Sequence, residues 1–213
     1  MKNIPFLSFV IVIQISCRPE LPDNCEGEYN FKREYYTSHP NGRIKTGDTV
    51  TISTSLPIEV YNFSSDSIVN INRFGKVLCG FTVEQYLPDS SNGIGIKSQN
   101  AKNDFNYLSQ NVKLDFTEGI GGRSRVRFYL KKTDSAFIAI VQIIPKKKGY
   151  FTINLLSGVI EDAFCGAGVH AYFNEEVVNK SQNNYKTILS KFNAPLDQSL
   201  LIHTTTSYTL IVD

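Results

Sequence analysis

From Glu28 onward, apolar and polar positions alternate in short runs separated by turn residues, the period-two pattern of half-buried strands. Glu28 to Thr37 predicts a first strand whose large side chains are Tyr29, Phe31, Tyr35 and Tyr36. His39-Pro40-Asn41-Gly42 predicts a turn, because proline presets one dihedral and Asn-Gly accepts positive φ. Beyond Gly47-Asp48, Val50, Ile52 and Leu56 fall on one face of a second strand and Thr49, Thr51 and Ser53 on the other. Ile58–Phe63 and Ser67–Ile71 predict two short strands around Ser64-Ser65-Asp66, and Val77–Tyr86 a longer one through Cys79, Phe81 and Val83.

Residues 88–104 break this rhythm with few large apolar groups, which predicts a long loop or, if there are two domains, their boundary. Between 112 and 157 the alternation returns. Val112, Leu114 and Phe116, then Val126, Phe128 and Leu130, then Phe137 to Ile144, then Phe151, Ile153 and Leu155 are joined by short turns, which predicts a four-stranded antiparallel meander. Phe137 to Ile144 is apolar on both parities apart from Gln142, the pattern of a strand covered on both faces, and Lys146-Lys147-Lys148 reads as a solvated hairpin tip. Val159-Ile160, Ala171–Phe173, Leu200–His203 and Tyr208–Val212 predict further strands. Asn183 or Asn184 caps a short helix in which Tyr185, Ile188, Leu189 and Phe192 recur at helical spacing. A sheet needs a second layer to bury its face. The expectation is a mainly β chain, an antiparallel β-sandwich of immunoglobulin-like or jelly-roll-like type over residues 28–213, with a short C-terminal helix.

The first seventeen residues have a different pattern. Lys2 precedes an almost wholly apolar run from Ile4 to Ile15, and Ser16 leads into Cys17. The run is about a dozen residues, against the ~20 that span a bilayer, so it reads as an export signal. No alanine occurs before Ala101, so an Ala-x-Ala cleavage site is absent here. The Ser16-Cys17 order behind a basic start and an apolar run resembles a bacterial lipoprotein signal, with Gln14 where leucine is commonest. The resemblance covers these seventeen residues alone. It implies that residues 1–16 are removed, that Cys17 is lipidated (palmitate among its acyl chains), and that the mature protein is held on a membrane. Arg18, rather than aspartate, after the cysteine implies the outer membrane of a Gram-negative envelope. Residues 17–27 read as the lipidated tether, with Pro19 and Pro22 denying it helix.

Charge then narrows the partners. The chain carries 22 basic and 20 acidic residues without a clustered basic face, which excludes a nucleic-acid footprint. Cys25, Cys79 and Cys165 follow the lipidation site; in an oxidising envelope an odd count suggests one disulfide, with Cys79–Cys165 favoured and all three pairings open.

Candidate chemistry is sparse. Cys165 and His170 are five apart, on opposite faces of an extended strand. His39, His170 and His203 have no metal-ligand spacing, and Asp89-Ser90-Ser91-Asn92-Gly93 lacks the later acidic ligands of a calcium loop. Gly119-Ile120-Gly121-Gly122 lacks the lysine of a phosphate loop, and no Gly-x-Ser-x-Gly occurs. The carboxylate pairs Glu161-Asp162 and Glu175-Glu176 read as solvated. Asp48-Thr49-Val50, Asp66-Ser67-Ile68 and Asp134-Ser135-Ala136 look like the short O-glycosylation sites of some bacterial envelope proteins. Tyr35, Tyr36, Tyr86, Tyr107 and Tyr129 could form a sugar platform, although cross-strand packing is their first reading. No catalytic residue, cofactor or metal is assigned. The expectation is a non-enzymatic binding or assembly module at the outer membrane, with a glycan, a peptide or an envelope protein as ligand. An envelope hydrolase whose acidic residues converge only on folding, or an adhesion or structural subunit, is the alternative.

Overall fold

The computed structural model describes residues 29–73, 75–88, 96–119, 123–161, 171–180, 183–192 and 205–213. The strands are β1 (Tyr29–Thr37), β2 (Arg43–Ile44), β3 (Val50–Pro57), β4 (Glu59–Asn62), β5 (Ser67–Asn70), β6 (Lys76–Pro88), β7 (Ile96–Asn100), β8 (Phe105–Ser109), β9 (Leu114–Glu118), β10 (Ser124–Tyr129), β11 (Lys131–Lys132), β12 (Ala136–Pro145), β13 (Gly149–Glu161), β14 (Ala171–Val177) and β15 (Ser207–Val212); helix α1 spans Asn183–Lys191.

Two sheets face each other. Sheet A runs β11-β12-β3-β1-β14, with β8 on the remainder of the β12 edge. Sheet B runs β2-β15-β13-β6-β10-β9, with β7 beside the far half of β6. β4 and β5 form a separate hairpin. The alternation in the sequence is what makes the core. Phe31, Tyr35, Val50, Ile52, Leu56, Phe137, Val141 and Ile143 point inward from sheet A to meet Cys79, Phe81, Val83, Val126, Phe128, Phe151, Ile153 and Leu210 from sheet B. Each such large apolar group contributes ~1.5–3 kcal/mol by leaving water. The architecture is a β-sandwich with one short helix, as the sequence predicts.

Several local expectations change. The expected meander is one hairpin: β9 pairs with β10, and the chain then crosses to sheet A, where β12 pairs with β3 and β8. β13 returns to sheet B against β6 and β15. Short connections join neighbours in space, and in a sandwich the neighbour can be the facing layer. The three lysines therefore occupy a corner between sheets, where Lys146 Nζ donates to the Asn103 carbonyl at 2.9 Å and Lys147 pairs with Asp104 at 2.9 Å. The sandwich also contains two parallel pairs, β1 with β14 and β15 with β2. Within the loop expected at 88–104, residues 96–100 form strand β7, which pairs antiparallel with β6, and Lys102–Asp104 form a single 3-10 turn. Val159-Ile160 belongs to β13, beyond an irregularity between Leu156 and Val159.

The turn at His39–Gly42 closes with the Gly42 N–H donating to the His39 carbonyl at 2.8 Å, and Gly42 takes φ 59° there, where a side chain would be strained. The helix forms where predicted. Ile188 and Leu189 are buried, Phe192 meets Tyr150 edge-on at 5.3 Å, and β15 beneath is buried on both parities. No described helix is long and apolar enough to cross a membrane.

Candidate binding face and the buried charges beneath it

β1 alternates strictly, with Tyr29, Phe31, Arg33, Tyr35 and Thr37 buried and the intervening residues outward. Arg33 is thus carried into the core by its neighbours' periodicity and is 0% exposed. β14 does the same with Ala171, Phe173, Glu175 and Val177, and the parallel register sets Arg33 opposite Glu175. Arg33 Nη2 pairs with Glu175 Oε1, and Nη1 donates to Cys79 Sγ on the facing sheet at 2.8 Å. Glu175 Oε1 also accepts the Gly158 N–H at 2.9 Å. The guanidinium lies over Phe173 at 4.2 Å and beside Tyr35 at 5.5 Å. A Cβ at Gly158 would lie 2.4 Å from Arg33 Nη2, so glycine is what lets β13 come this close.

These groups titrate as a buried set. Burial pushes the Glu175 carboxyl up, against the opposing pull of Arg33 and the Gly158 N–H. Burial also works against the charge on Arg33, but Tyr35, Cys79 and Glu175 outweigh it and hold the guanidinium above its ordinary value. Burial raises the Tyr35 hydroxyl well above its usual range, and pushes the Cys79 thiol up to about 11. Among the described residues, buried Arg33 Nε has no hydrogen-bond partner within ordinary geometry. Breaking this pair would strand a buried charge, at a cost of roughly 3–5 kcal/mol. The cluster fastens β1, β14, β6 and β13 to one another.

The outward face of sheet A has a different character. Register places Tyr36 beside Ser53, Ser53 beside Ile140, Ser55 beside Ile138, and Gln142 beside Leu108. Ala136, Ile138, Ile140, Gln142 and Ile144 of β12 are all half-buried there, and Tyr36 and Leu108 are exposed. The expectation that β12 is covered on both faces holds in part: its inward residues are buried and its outward ones half-buried. The elements that run beside β12 are β3, β8 and β11 of its own sheet. At the β1–β14 margin Lys32 bridges Glu34 at 2.9 Å and Glu176 at 3.1 Å, while the Tyr36 hydroxyl donates to Glu34 at 2.9 Å. Those bonds to Glu34 and Glu176 raise the Lys32 ammonium, and Lys32 with Tyr36 lowers the Glu34 carboxyl. The face is a hydroxyl-and-isoleucine centre with a charged rim.

A groove of about 400 Å³ opens along β14, lined by Phe63, Phe173, Glu175, Glu176 and Thr205. Glu175 and Glu176 are consecutive in one strand and point to opposite faces, so they do not oppose each other across the groove as glycoside chemistry requires. Glu175 is buried, which corrects its reading as a solvated carboxylate. Of the tyrosines named for a sugar platform, Tyr36 and Tyr129 are exposed, Tyr86 and Tyr107 are half-buried, and Tyr35 is in the core. Thr49, Ser67 and Ser135 of the three aspartate-led tripeptides are all exposed, each where a turn gives way to a strand.

Cys79 is a buried thiol. Its expected partner Cys165, the lipidation site Cys17, Cys25, His170, His203, Asp162 and the stretches 89–95 and 120–122 lie outside the described residues. His39 is tied locally, its Nδ1 lying 2.8 Å from Ser38 Oγ. Among the described residues no three His, Cys, Asp or Glu side chains are gathered where they could hold a metal ion. Sequence reasoning missed Arg33 and Glu175. The signal was present: each sits two residues from large apolar neighbours on the inward parity of its strand, and the two carry opposite charges.

No family model matches the chain, and no curated protein does. Solved structures with a similar course of chain are cohesin modules. One is a second type II cohesin module of the adaptor ScaA scaffoldin of Acetivibrio cellulolyticus, at 8% identity and TM-score 0.34, covering 71% of this chain and 97% of that one. Another is a cohesin module from a Clostridium perfringens family 33 glycoside hydrolase, at 9% identity and TM-score 0.32, covering 68% and 99%. A third is a non-cellulosomal cohesin from the archaeon Archaeoglobus fulgidus, at 12% identity and TM-score 0.28, covering 74% and 97%. At these scores the similarity assigns neither a family nor a function.

Proposed function

We propose that this chain is a non-enzymatic binding or assembly module, anchored to the bacterial outer membrane by lipid on Cys17, that engages an envelope protein through the outward face of sheet A. The observation that carries the reading is the outward row Ile138, Ile140 and Ile144 on β12. A strand with one face on the core and one in water ordinarily alternates apolar with polar. Here the solvent side keeps isoleucine, beside the hydroxyls of Ser53 and Ser55 and the ring of Tyr36, with Lys32, Glu34 and Glu176 at its margin. An apolar centre inside a charged rim is the anatomy of a protein–protein contact. The isoleucine row, with one exposed tyrosine ring, favours a protein over a glycan, which is held in a cleft or on a shelf of several aromatic rings.

The lipid supplies the address. One acyl chain holds a protein only marginally, whereas two or more anchor it stably, as a lipidated N-terminal cysteine would. The test has two parts. Metabolic labelling with a palmitate analogue should mark the wild type and leave Cys17→Ala unmarked. A chemical cross-linker applied to intact cells should join the wild type to an envelope protein and fail to do so with Ile140→Lys. Absence of label overturns the anchor, and an undiminished cross-link in Ile140→Lys overturns the face.

A further inference from the structure

We propose that the β4–β5 hairpin rests on the bilayer to which the chain is tethered, with Tyr61, Phe63 and Ile68 seated at the boundary between headgroups and acyl chains. This rests on the lipid-anchored reading above.

The hairpin presents an apolar face to solvent by construction. Antiparallel register sets Tyr61 directly opposite Ile68. Phe63 meets the Tyr61 ring edge-on at 4.9 Å and 82°. Exposure is 42% at Tyr61, 52% at Phe63 and 72% at Ile68, an unusual degree for three large apolar side chains in mutual reach. The hairpin's other side is well held. Val60 and Val69 pack against the core, and buried Asn62 accepts the Asn30 N–H at 2.8 Å while donating to Ser65 at 2.9 Å. The Tyr61 hydroxyl donates to the Asp66 carboxylate within the hairpin, so the ring can leave water without losing its polar partner.

Position selects the occupant. The Phe63 N–H donates to the Asn30 carbonyl at 2.8 Å, and Asn30 is the second residue of β1. On the other side of Asn30 lies Tyr172, 55% exposed. Tyr61, Phe63, Ile68 and Tyr172 therefore surround the point where the chain arrives from Cys17. Twelve residues lead from Cys17 to Tyr29, and at ~3.5 Å each they extend no more than about 40 Å. A lipid at Cys17 thus keeps this end of the sandwich near the membrane, where aromatic and aliphatic groups concentrate at the interface. The outward face of sheet A then stands roughly upright from the bilayer, open to a partner.

The chain contains no tryptophan, so one introduced tryptophan is a unique reporter. Phe63→Trp and, as control, Leu108→Trp would be made in the mature chain from Cys17. Each carries an N-terminal hexahistidine that holds it on vesicles of phosphatidylethanolamine and phosphatidylglycerol containing nickel-chelating lipid and brominated acyl chains. Seated as proposed, Phe63→Trp shifts its emission to the blue and loses roughly half its intensity, since insertion of 5–10 Å brings it near the bromines, while Leu108→Trp does neither. Adding Ile68→Asp to Phe63→Trp should abolish the quenching without altering the melt. Equal, unquenched emission from both reporters on the vesicles overturns the proposal. So does a blue shift of Phe63→Trp that appears without vesicles and grows with protein concentration, which would assign the hairpin to a second copy. Flotation of the natively processed chain with plain vesicles tests the anchor separately; quenching without flotation overturns the anchor and keeps the hairpin contact.

Discussion

Arg33 on β1 donates from Nη1 to the sulfur of Cys79 on β6 at 2.8 Å, so a charged side chain on one sheet is bonded to a thiol on the other through the centre of the sandwich. The same guanidinium holds Glu175 of β14, and Glu175 in turn holds the Gly158 N–H of β13. One buried pair thereby links four strands.

Arg33→Met should lower stability by roughly 3–5 kcal/mol, because Glu175 would be left as an uncompensated buried carboxylate. Combining it with Glu175→Leu should recover most of that loss, since an apolar pair of similar size leaves no charge stranded. Denaturant unfolding of the two single variants and the double variant checks this; additive losses would contradict it.

Gly158→Ala should destabilise the fold by roughly 1–3 kcal/mol, the range for overpacking a tight core. Its Cβ would meet Arg33 Nη1 at 2.6 Å and the Leu78 carbonyl at 2.7 Å, neither of which can give way without loosening the pair. Thermal melts are sufficient. A wild-type melting temperature would show that β13 can retreat at no cost.

Cys79 should resist alkylation in the folded protein at pH 8 and react only on unfolding, because burial pushes its thiol up to about 11. The ordinary value is 9.0, so the folded state keeps the proton that the unfolded chain loses. This contribution to stability is complete below pH 9 and is lost as pH rises toward 11. Mass-spectrometric counting of iodoacetamide adducts at Cys79, native against denatured, reads the first point. Equal rates would contradict it.

Lys180 gives the opposite slope. Burial lowers its ammonium to about 8, although Glu176 favours the charge, and Nζ donates to the Ser207 carbonyl at 2.8 Å. Between pH 8 and 10.5 the unfolded chain binds the proton and the folded chain does not, so this group adds stability as pH rises through that window. The stability of the wild type relative to Lys180→Met should therefore increase from pH 8 to 10.5, and a constant difference would refute the assignment.

Strand identity was legible wherever one face is buried, as in β3, where Val50, Ile52 and Leu56 declare their side. β7 was not: Lys97, Ser98, Gln99 and Asn100 are all exposed, so it is held by backbone bonds to β6 and leaves no apolar alternation to read. Nor was the crossing of β12 between sheets, because a short turn and a strand look the same whether the partner is in one layer or the facing one. The buried pair was hidden by the habit of placing arginine and glutamate outside. The parity of Phe31 and Tyr35, and of Phe173 and Val177, placed both inside. The outward isoleucines of β12 were visible as letters, but only the layer order shows that the second layer lies on the other side of them.

The central claim is that the outward face of sheet A is a contact surface on an envelope-tethered protein. The most direct measurement is site-specific photo-crosslinking in living cells, with benzoylphenylalanine placed at Ile140 on that face and, separately, at Tyr129 on sheet B. The expected result is one discrete adduct of a second envelope protein from position 140 and none from position 129. Absence of an adduct at 140, or the same adducts from both positions, would contradict the claim.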